Sequence, residues 1–341
     1  MSHGITKTDR VVTYRIPSWH RLDTDVLEEY ADLDDLRDKA HPFEVIREPV
    51  YRKQIVFAHN PYDPDGDPIP EEEYVLVPDQ EFNVRTDNDE VLATVDTDRA
   101  EVSIAGMYEV AGVIQGTTTA PVKIETAGSF DGGRNVWLLL RLDREIQIKG
   151  DPNGRSLPFL AIQNGFKTGK AFRLQPTEIR ECCANTSRAI DLDAERTGFQ
   201  ETFVHVGNMT ERLEQAKESL ANWYADIEAW VAAKEFLVTQ KVDVEAINWF
   251  VNQFIPEPPL SQTSDRVKNN IEVARLELIG EIFGPYNEGI EMTALGLFEG
   301  ASSWNEHVRQ AMSPQTRFKR SVLSPDSKLS VARDLALQAA S

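Results

Sequence analysis

Between two runs of strand-forming residues, Val122–Phe130 and Asn135–Leu142, stands the tetrapeptide Asp131-Gly132-Gly133-Arg134. Asp-Gly and Gly-Gly supply the positive φ angles that tight hairpin turns require. The centre of the chain is therefore committed to an antiparallel hairpin. Short strand patterns precede it at Tyr74–Val77, Glu81–Arg85 and Val91–Val95, the last after the turn Asp87-Asn88-Asp89-Glu90. Others follow at Ile146–Ile148, Ser156–Gln163 and Lys170–Leu174, the last two joined by residues 164–169. Val102–Ile114 has the helical spacing Ile104, Met107, Tyr108, Ala111, Ile114. After Pro176, Thr177 is expected to cap a helix running to Ile190. Residues 74–190 thus read as an antiparallel β-sheet domain with packed helices.

The flanks read differently. Residues 1–60 show no regular pattern beyond a short acidic helix over Glu28–Lys39. Residues 59–73 hold four prolines, one glycine and six acids, the composition of a loop or disordered insertion. Asp63, Asp65 and Asp67 hint at a calcium loop, but Pro68 stands where the turn glycine belongs and Tyr74 where the closing Glu belongs. From 210 the period becomes helical: Thr210 caps a stretch to Leu237, followed by Val244–Phe254, Ser264–Phe283, Gly289–Met312 and Pro325–Ala340. The fold class expected is α+β, with an irregular segment 1–73, an α+β domain 74–190 and an all-α helical domain 210–341. A chain of 341 residues is long enough for two domains.

Charge narrows the function classes. The chain carries 56 acidic and 36 basic side chains, a formal charge of −20, which excludes a generally basic DNA-coating protein. That charge is unevenly laid out: −16 over residues 1–133, +5 over 134–188, −13 over 189–306 and +4 over 307–341. The basic zone contains Arg134, Arg141, Arg144, Lys149, Arg155, Lys167, Lys170, Arg173, Arg180 and Arg188. Two readings fit it: solvated charge paired with acidic neighbours, or an anion-binding surface. Phe166 and Phe172 interleave with Lys167, Lys170 and Arg173, the mixture of stacking platform and cation used by single-strand binders. The competing reading is an ordinary amphipathic hairpin with Phe172 in the core.

The motifs of known chemistries fail on spacing. Gly165 to Lys170 suggests a P-loop, but three residues separate the glycines where four are needed, and Ala171 follows the lysine. Lys167-Thr168-Gly169 lacks any accompanying Ser-x-x-Lys nucleophile. No nucleophile elbow, zinc-protease helix or dinucleotide fingerprint is present, and the adjacent Cys182 and Cys183 with six scattered histidines give no metal-ligand spacing. The expectation is no catalytic residue, no metal and no cofactor. The start lacks an apolar signal core and no run approaches a membrane span, so cytoplasmic residence is expected.

Several blocks, taken in order, carry a resemblance: Met1-Ser2-His3-Gly4, Trp19-His20, Glu125–Phe130 with Gly132–Trp137, Pro158–Asn164, Arg180–Thr186, and Thr293–Phe298 with His307. On these the chain resembles the phage- and plasmid-encoded proteins of domain-of-unknown-function family 932. It departs at Arg21, where the family usually has Gly, and at Leu295, where it often has Trp. That family is similar in strand–helix order to the phage single-strand annealing superfamily, whose members pair complementary strands as rings. The resemblance implies a bacteriophage DNA-recombination protein of the host cytoplasm that binds single-stranded DNA as a homo-oligomer, with Arg134, Arg141, Lys167, Lys170, Arg173, Arg180 and Arg188 on phosphates and Phe166 and Phe172 stacking bases. The alternatives are an acidic interaction protein acting on a host factor, motivated by the −16 of residues 1–133, and a metal-dependent nuclease.

Overall fold

The computed structural model describes residues 8–14, 25–29, 32–58, 66–99, 102–117, 122–167, 172–180, 185–187, 201–203, 227–259, 264–309 and 327–341. Its centre is the expected hairpin: β6 (Val122–Phe130) pairs antiparallel with β7 (Asn135–Leu142) across the Asp-Gly-Gly turn. Asp131, Gly132 and Gly133 all take positive φ, at 61°, 69° and 84°. The hairpin is part of a nine-stranded sheet that also holds β1 (Val11–Tyr14), β2 (Asp25–Leu27), β8 (Ile146–Gln147), β9 (Arg155–Gly165), β10 (Phe172–Arg180), β11 (Asn185–Ser187) and β12 (Glu201–Phe203). The order is β11-β10-β9-β7-β6-β1-β2, with β12 on β10 and β8 on β9. All pairings are antiparallel except that of β1 with β2. A second sheet has three antiparallel strands, β3 (Val45–Ala58), β4 (Ile69–Arg85) and β5 (Val91–Asp96).

Helices α1 (Leu33–Ala40) and α2 (Ile104–Thr117) pack on the large sheet. Ser103 Oγ and both Glu44 carboxylate oxygens accept the first free N–H groups of α2, which would otherwise be orphaned at a buried helix start. The helical half comprises α3 over residues 227–239, α4 (Val244–Phe254), α5 (Asp265–Ile282), α6 (Ala294–Ser303) and α7 (Ser327–Ala339). Asp243, Ser264 and Thr293 cap α4, α5 and α6 through their side-chain oxygens. All ten residues of α6 are buried, and it passes into a π-helical turn, Trp304–Val308. A Cβ at Gly300 would lie 2.6 Å from the Ile282 side chain and 2.8 Å from its Cα, so glycine is what lets α6 lie against α5. The ion pair Lys234–Glu299, 4% and 1% exposed, joins α3 to α6 inside this packing.

The fold is α+β, with most helices in the C-terminal half. Among the described residues one hydrophobic cluster runs from Val12 on β1 through the sheet to Ala332 and Ala336 on α7. The sheet part and the helical part share a core.

Four expectations are corrected. The described part of residues 1–60 is not irregular: besides the expected acidic helix, seen as α1, it supplies β1, β2 and the 14-residue β3. Alternation failed as a signal there because β1 is buried on all four residues, whereas β3 is at least partly exposed along its length. Residues 69–73 belong to β4, where Glu71, Glu72 and Glu73 pair with Val56, Ile55 and Gln54. The helix expected over Thr177–Ile190 begins instead as strand, since β10 runs through Pro176 to Arg180 and β11 follows. Proline is tolerated there because β12 pairs with residues 172–174 and β11 with 178–180, leaving Pro176 in the gap between two edge partners. Residues 289–293 form turns before α6 and are not helical. The helical stretch expected from Thr210 is observed over 227–239, and 210–226 lies outside the described residues. So do Asp63 and Asp65 of the calcium reading, and Cys182 and Cys183.

Gly300→Ala is expected to lower stability by about 2 kcal/mol through overpacking between α5 and α6. A urea titration checks this, with a lower midpoint at unchanged slope.

Candidate nucleic-acid interface

The strands of the large sheet run in alternate directions, so consecutive sequence cations are dealt to its two ends. Arg134 and Lys167 fall at the end holding the Asp-Gly-Gly turn. Lys123, Arg141, Arg144, Lys149 and Arg155 fall at the other.

At the turn end the cations are structural. The buried carboxylate of Asp9 accepts hydrogen bonds from Gly132 N at 2.9 Å, Gly133 N at 2.8 Å and Ser129 Oγ at 2.9 Å. Arg85, whose side chain is 0% exposed, lies 3.8 Å above the Phe43 ring. It donates to Gly132 O and Thr8 O and makes a two-pronged pair with Asp87 at 2.9 and 2.7 Å. Arg134 donates to the carbonyls of Leu92, Val91 and Asp131 and lies 3.3 Å from Glu90, fastening β5 to the hairpin. Lys167 reaches Asp131 at 3.1 Å, while its carbonyl accepts from Arg99.

His41 completes this end. Its Nε2 faces the Gly128 carbonyl at 2.8 Å, which can only accept, so Nε2 carries the proton. Nδ1 therefore accepts from the Tyr108 hydroxyl at 2.8 Å. Burial pushes His41 down from 6.5 to about 4, against the opposing pull of the Gly128 carbonyl. Burial also pushes the Tyr108 hydroxyl well above its ordinary value.

The opposite end is built for exposure. Lys123 on β6 pairs across from Arg141 on β7. Arg155 opens β9 opposite Gln147, and Arg180 closes β10 opposite Ser156. Arg144 and Lys149 lie exposed in the connection between β7 and β9. Acids stand among them: Glu125 at 3.4 Å and Asp143 at 3.9 Å from Arg141, Asp143 at 3.3 Å from Lys123, and Glu145 bonded to Arg155. These pairs are part-exposed, with side chains 23–61% accessible. An open cleft of about 400 Å³ adjoins them, between residues 144–147 and α3.

The ten sequence cations thus do not form one stripe. Arg134 and Lys167 are tied into the fold, and Arg141 sits with acids at the exposed end. Arg173 lies mid-strand between Gln163 and Thr202, half-buried. Arg180 is placed at the exposed end by its strand register. Lys170 and Arg188 lie outside the described residues. The stacking role expected of Phe166 and Phe172 is corrected: each is 1% exposed and packed in the core, leaving no ring face for a base. Alternation on β10 puts Phe172 and Leu174 on the core face, and Phe166 is held by backbone bonds to Arg134 and Asn83. Sequence reasoning passed over Lys123, which lies outside the basic zone. Only pairing register could have brought it beside Arg141.

A family model described as Domain of unknown function (DUF932) matches residues 107–324. No curated protein and no solved structure matches the chain. Among the described residues no helix is long and apolar enough to cross a membrane, and no cluster of three potential metal-ligating side chains occurs.

The His41 arrangement sets a pH dependence. Below 6.5 the unfolded chain takes up a proton that the folded chain refuses until about 4, so this stability is present above 6.5 and lost on acidification through that window. Lowering the pH from about 7.5 to about 5.5 should cost on the order of 1 kcal/mol from this group. In urea titrations at both pH values, His41→Gln should be less stable at the higher pH but lose less on acidification. Asp9→Ala, which strands two buried turn N–H groups, should cost about 2–4 kcal/mol at either pH, read from the same titrations.

Proposed function

Because the chain belongs to the family described as Domain of unknown function (DUF932), its activity must be argued from its own surface, and we propose that it binds single-stranded DNA and, as a non-enzymatic oligomer, promotes annealing of complementary strands. The observation that carries the reading is the gathering of Lys123, Arg141, Arg144, Lys149 and Arg155 at one end of the sheet of an otherwise acidic protein. Exposed ion pairs are worth about 0–1 kcal/mol, so phosphate can replace Asp143 beside Lys123 and Glu145 beside Arg155 at small cost, while the half-buried Arg141–Glu125 pair holds its place. Strands lie about 4.8 Å apart, so β6, β7 and β9 span room for a few phosphates of one extended strand. Assembly of several copies lengthens that track. With Phe166 and Phe172 buried, affinity rests on phosphate contacts, which are indifferent to base sequence and sensitive to salt.

Fluorescence anisotropy with a labelled oligothymidylate tests this. Binding should weaken steeply between about 50 and about 200 mM salt, with a log–log slope near −2 for three phosphates. Arg144→Glu with Arg155→Glu should weaken it at least about tenfold and flatten the slope. Unchanged binding by that variant overturns the site, and absence of binding at the lower salt overturns the function. Mixing complementary strands with the protein should speed duplex formation, and a rate equal to that without protein removes the annealing role.

A further inference from the structure

Among the described residues, no member of the core cluster lies on the outer half of the β3–β4 hairpin. Strand β5 supports β4 only over Gln80–Val84, and a register irregularity between Pro49 and Tyr51 marks where the remainder departs. Beyond it, Tyr51–Ala58 pairs with Ile69–Leu76 as a two-stranded arm. An isolated two-stranded ribbon is marginal in water.

Side chains opposite one another in an antiparallel pair share a face, and the period is two. One face of the arm therefore presents Tyr51 with Leu76, Lys53 with Tyr74, Ile55 with Glu72, and Phe57 with Pro70. Its large apolar members are among the most exposed of the chain: Phe57 73%, Tyr74 65%, Ile55 62%, Tyr51 54% and Leu76 52%. Together they offer roughly 600 Å² of apolar surface, at the upper limit for the largest patch on a monomer.

We propose that this face is the interface between two copies of the chain, packed arm against arm about a two-fold axis. Its layout is self-complementary. At its centre Lys53 and Glu72 form an ion pair at 2.5 Å. Toward the base lie Tyr51, Tyr74 and Leu76, and toward the tip Ile55, Phe57 and Pro70. A two-fold axis through the centre sets the basal cluster of one copy on the tip cluster of the other. It also brings Lys53 of one copy against Glu72 of its mate, so the charges meet opposites. An isologous contact of this kind closes on itself. Burying both faces removes about 1,200 Å² from water, enough for a specific dimer. The other face mixes Arg52, Gln54, Glu71 and Glu73 with Val56, Ala58, Ile69 and Val75, and its apolar members are already part-buried, with Gln54 bonded to Glu73 at 3.0 Å.

The inference stands apart from DNA binding, and the experiment contains no DNA. Sedimentation velocity on the full chain from about 1 to about 100 µM should show two copies at the upper end. Phe57→Ser with Tyr74→Ser should sediment as one copy throughout while melting like the wild type at about 1 µM, where both are single copies, because neither residue belongs to the core. Lys53→Glu, a change of charge alone, should weaken dimerisation about tenfold. A wild-type chain that remains a single copy at the highest concentration overturns the inference. So does a dimer that survives both variants.

Discussion

The carboxylate of Asp9 is the point on which the structure turns. A turn with three successive positive φ values leaves its amides facing inward, and the buried Asp9 side chain accepts two of them. An unpaired carboxylate in that place would be costly, and so would the unpaired amides, so each group stabilises the other. Around the turn the second sheet is fastened by Arg85, whose guanidinium is sandwiched between the Gly132 carbonyl, Asp87 and the Phe43 ring. Gly133 has no substitute there, since a Cβ would come within 2.8 Å of Phe43 and 2.9 Å of Arg85. Four parts of the chain far apart in sequence, at Asp9, Phe43, Arg85 and the Gly132–Gly133 turn, meet here.

Local rules read this chain well wherever local rules decide. The hairpin turn and helices α2, α4 and α5 are legible because a φ requirement or an apolar period acts over a few residues. The misreadings share a different cause. Thr177 looks like a helix start after Pro176, but the segment is claimed by β9, whose partner residues lie 18–24 positions earlier. The strand β3 looks irregular because it is scarcely buried, so hydrophobic alternation, which reports a wet face and a dry face, has nothing to report. The candidate site was only half legible for the same reason. The basic zone was visible as composition, while the partition of its members between two sheet ends depends on register, which no local pattern encodes.

That partition changes what the electrostatics mean. A net +5 over residues 134–188 invites the picture of one basic stripe. In the fold, Arg134 serves carbonyl oxygens of β5, and Lys167 serves Asp131. A guanidinium surrounded by carbonyls is a fixed donor that ties strands together, and its charge is already committed. At the exposed end Lys123, Arg141 and Arg155 each stand beside a carboxylate that screens them. On the proposed reading such a surface would hold phosphate weakly per contact, and affinity would come from the number of contacts made at once.

Number of contacts, in turn, is a matter of assembly. The large sheet and the helical half are joined by one core. Exposed large apolar side chains occur elsewhere too, among them Phe236, Val244, Trp249 and Leu276 of the helical half, but the outer arm gathers five on a single face and is held by the hydrogen bonds between its two strands and the Lys53–Glu72 pair. An unburied face of this size fits a contact with a second copy. Two copies joined at their arms would carry two cation ends on one rigid frame. A strand held by the first raises the effective concentration of its neighbouring segment at the second, so weak sites become a serviceable pair without any new contact.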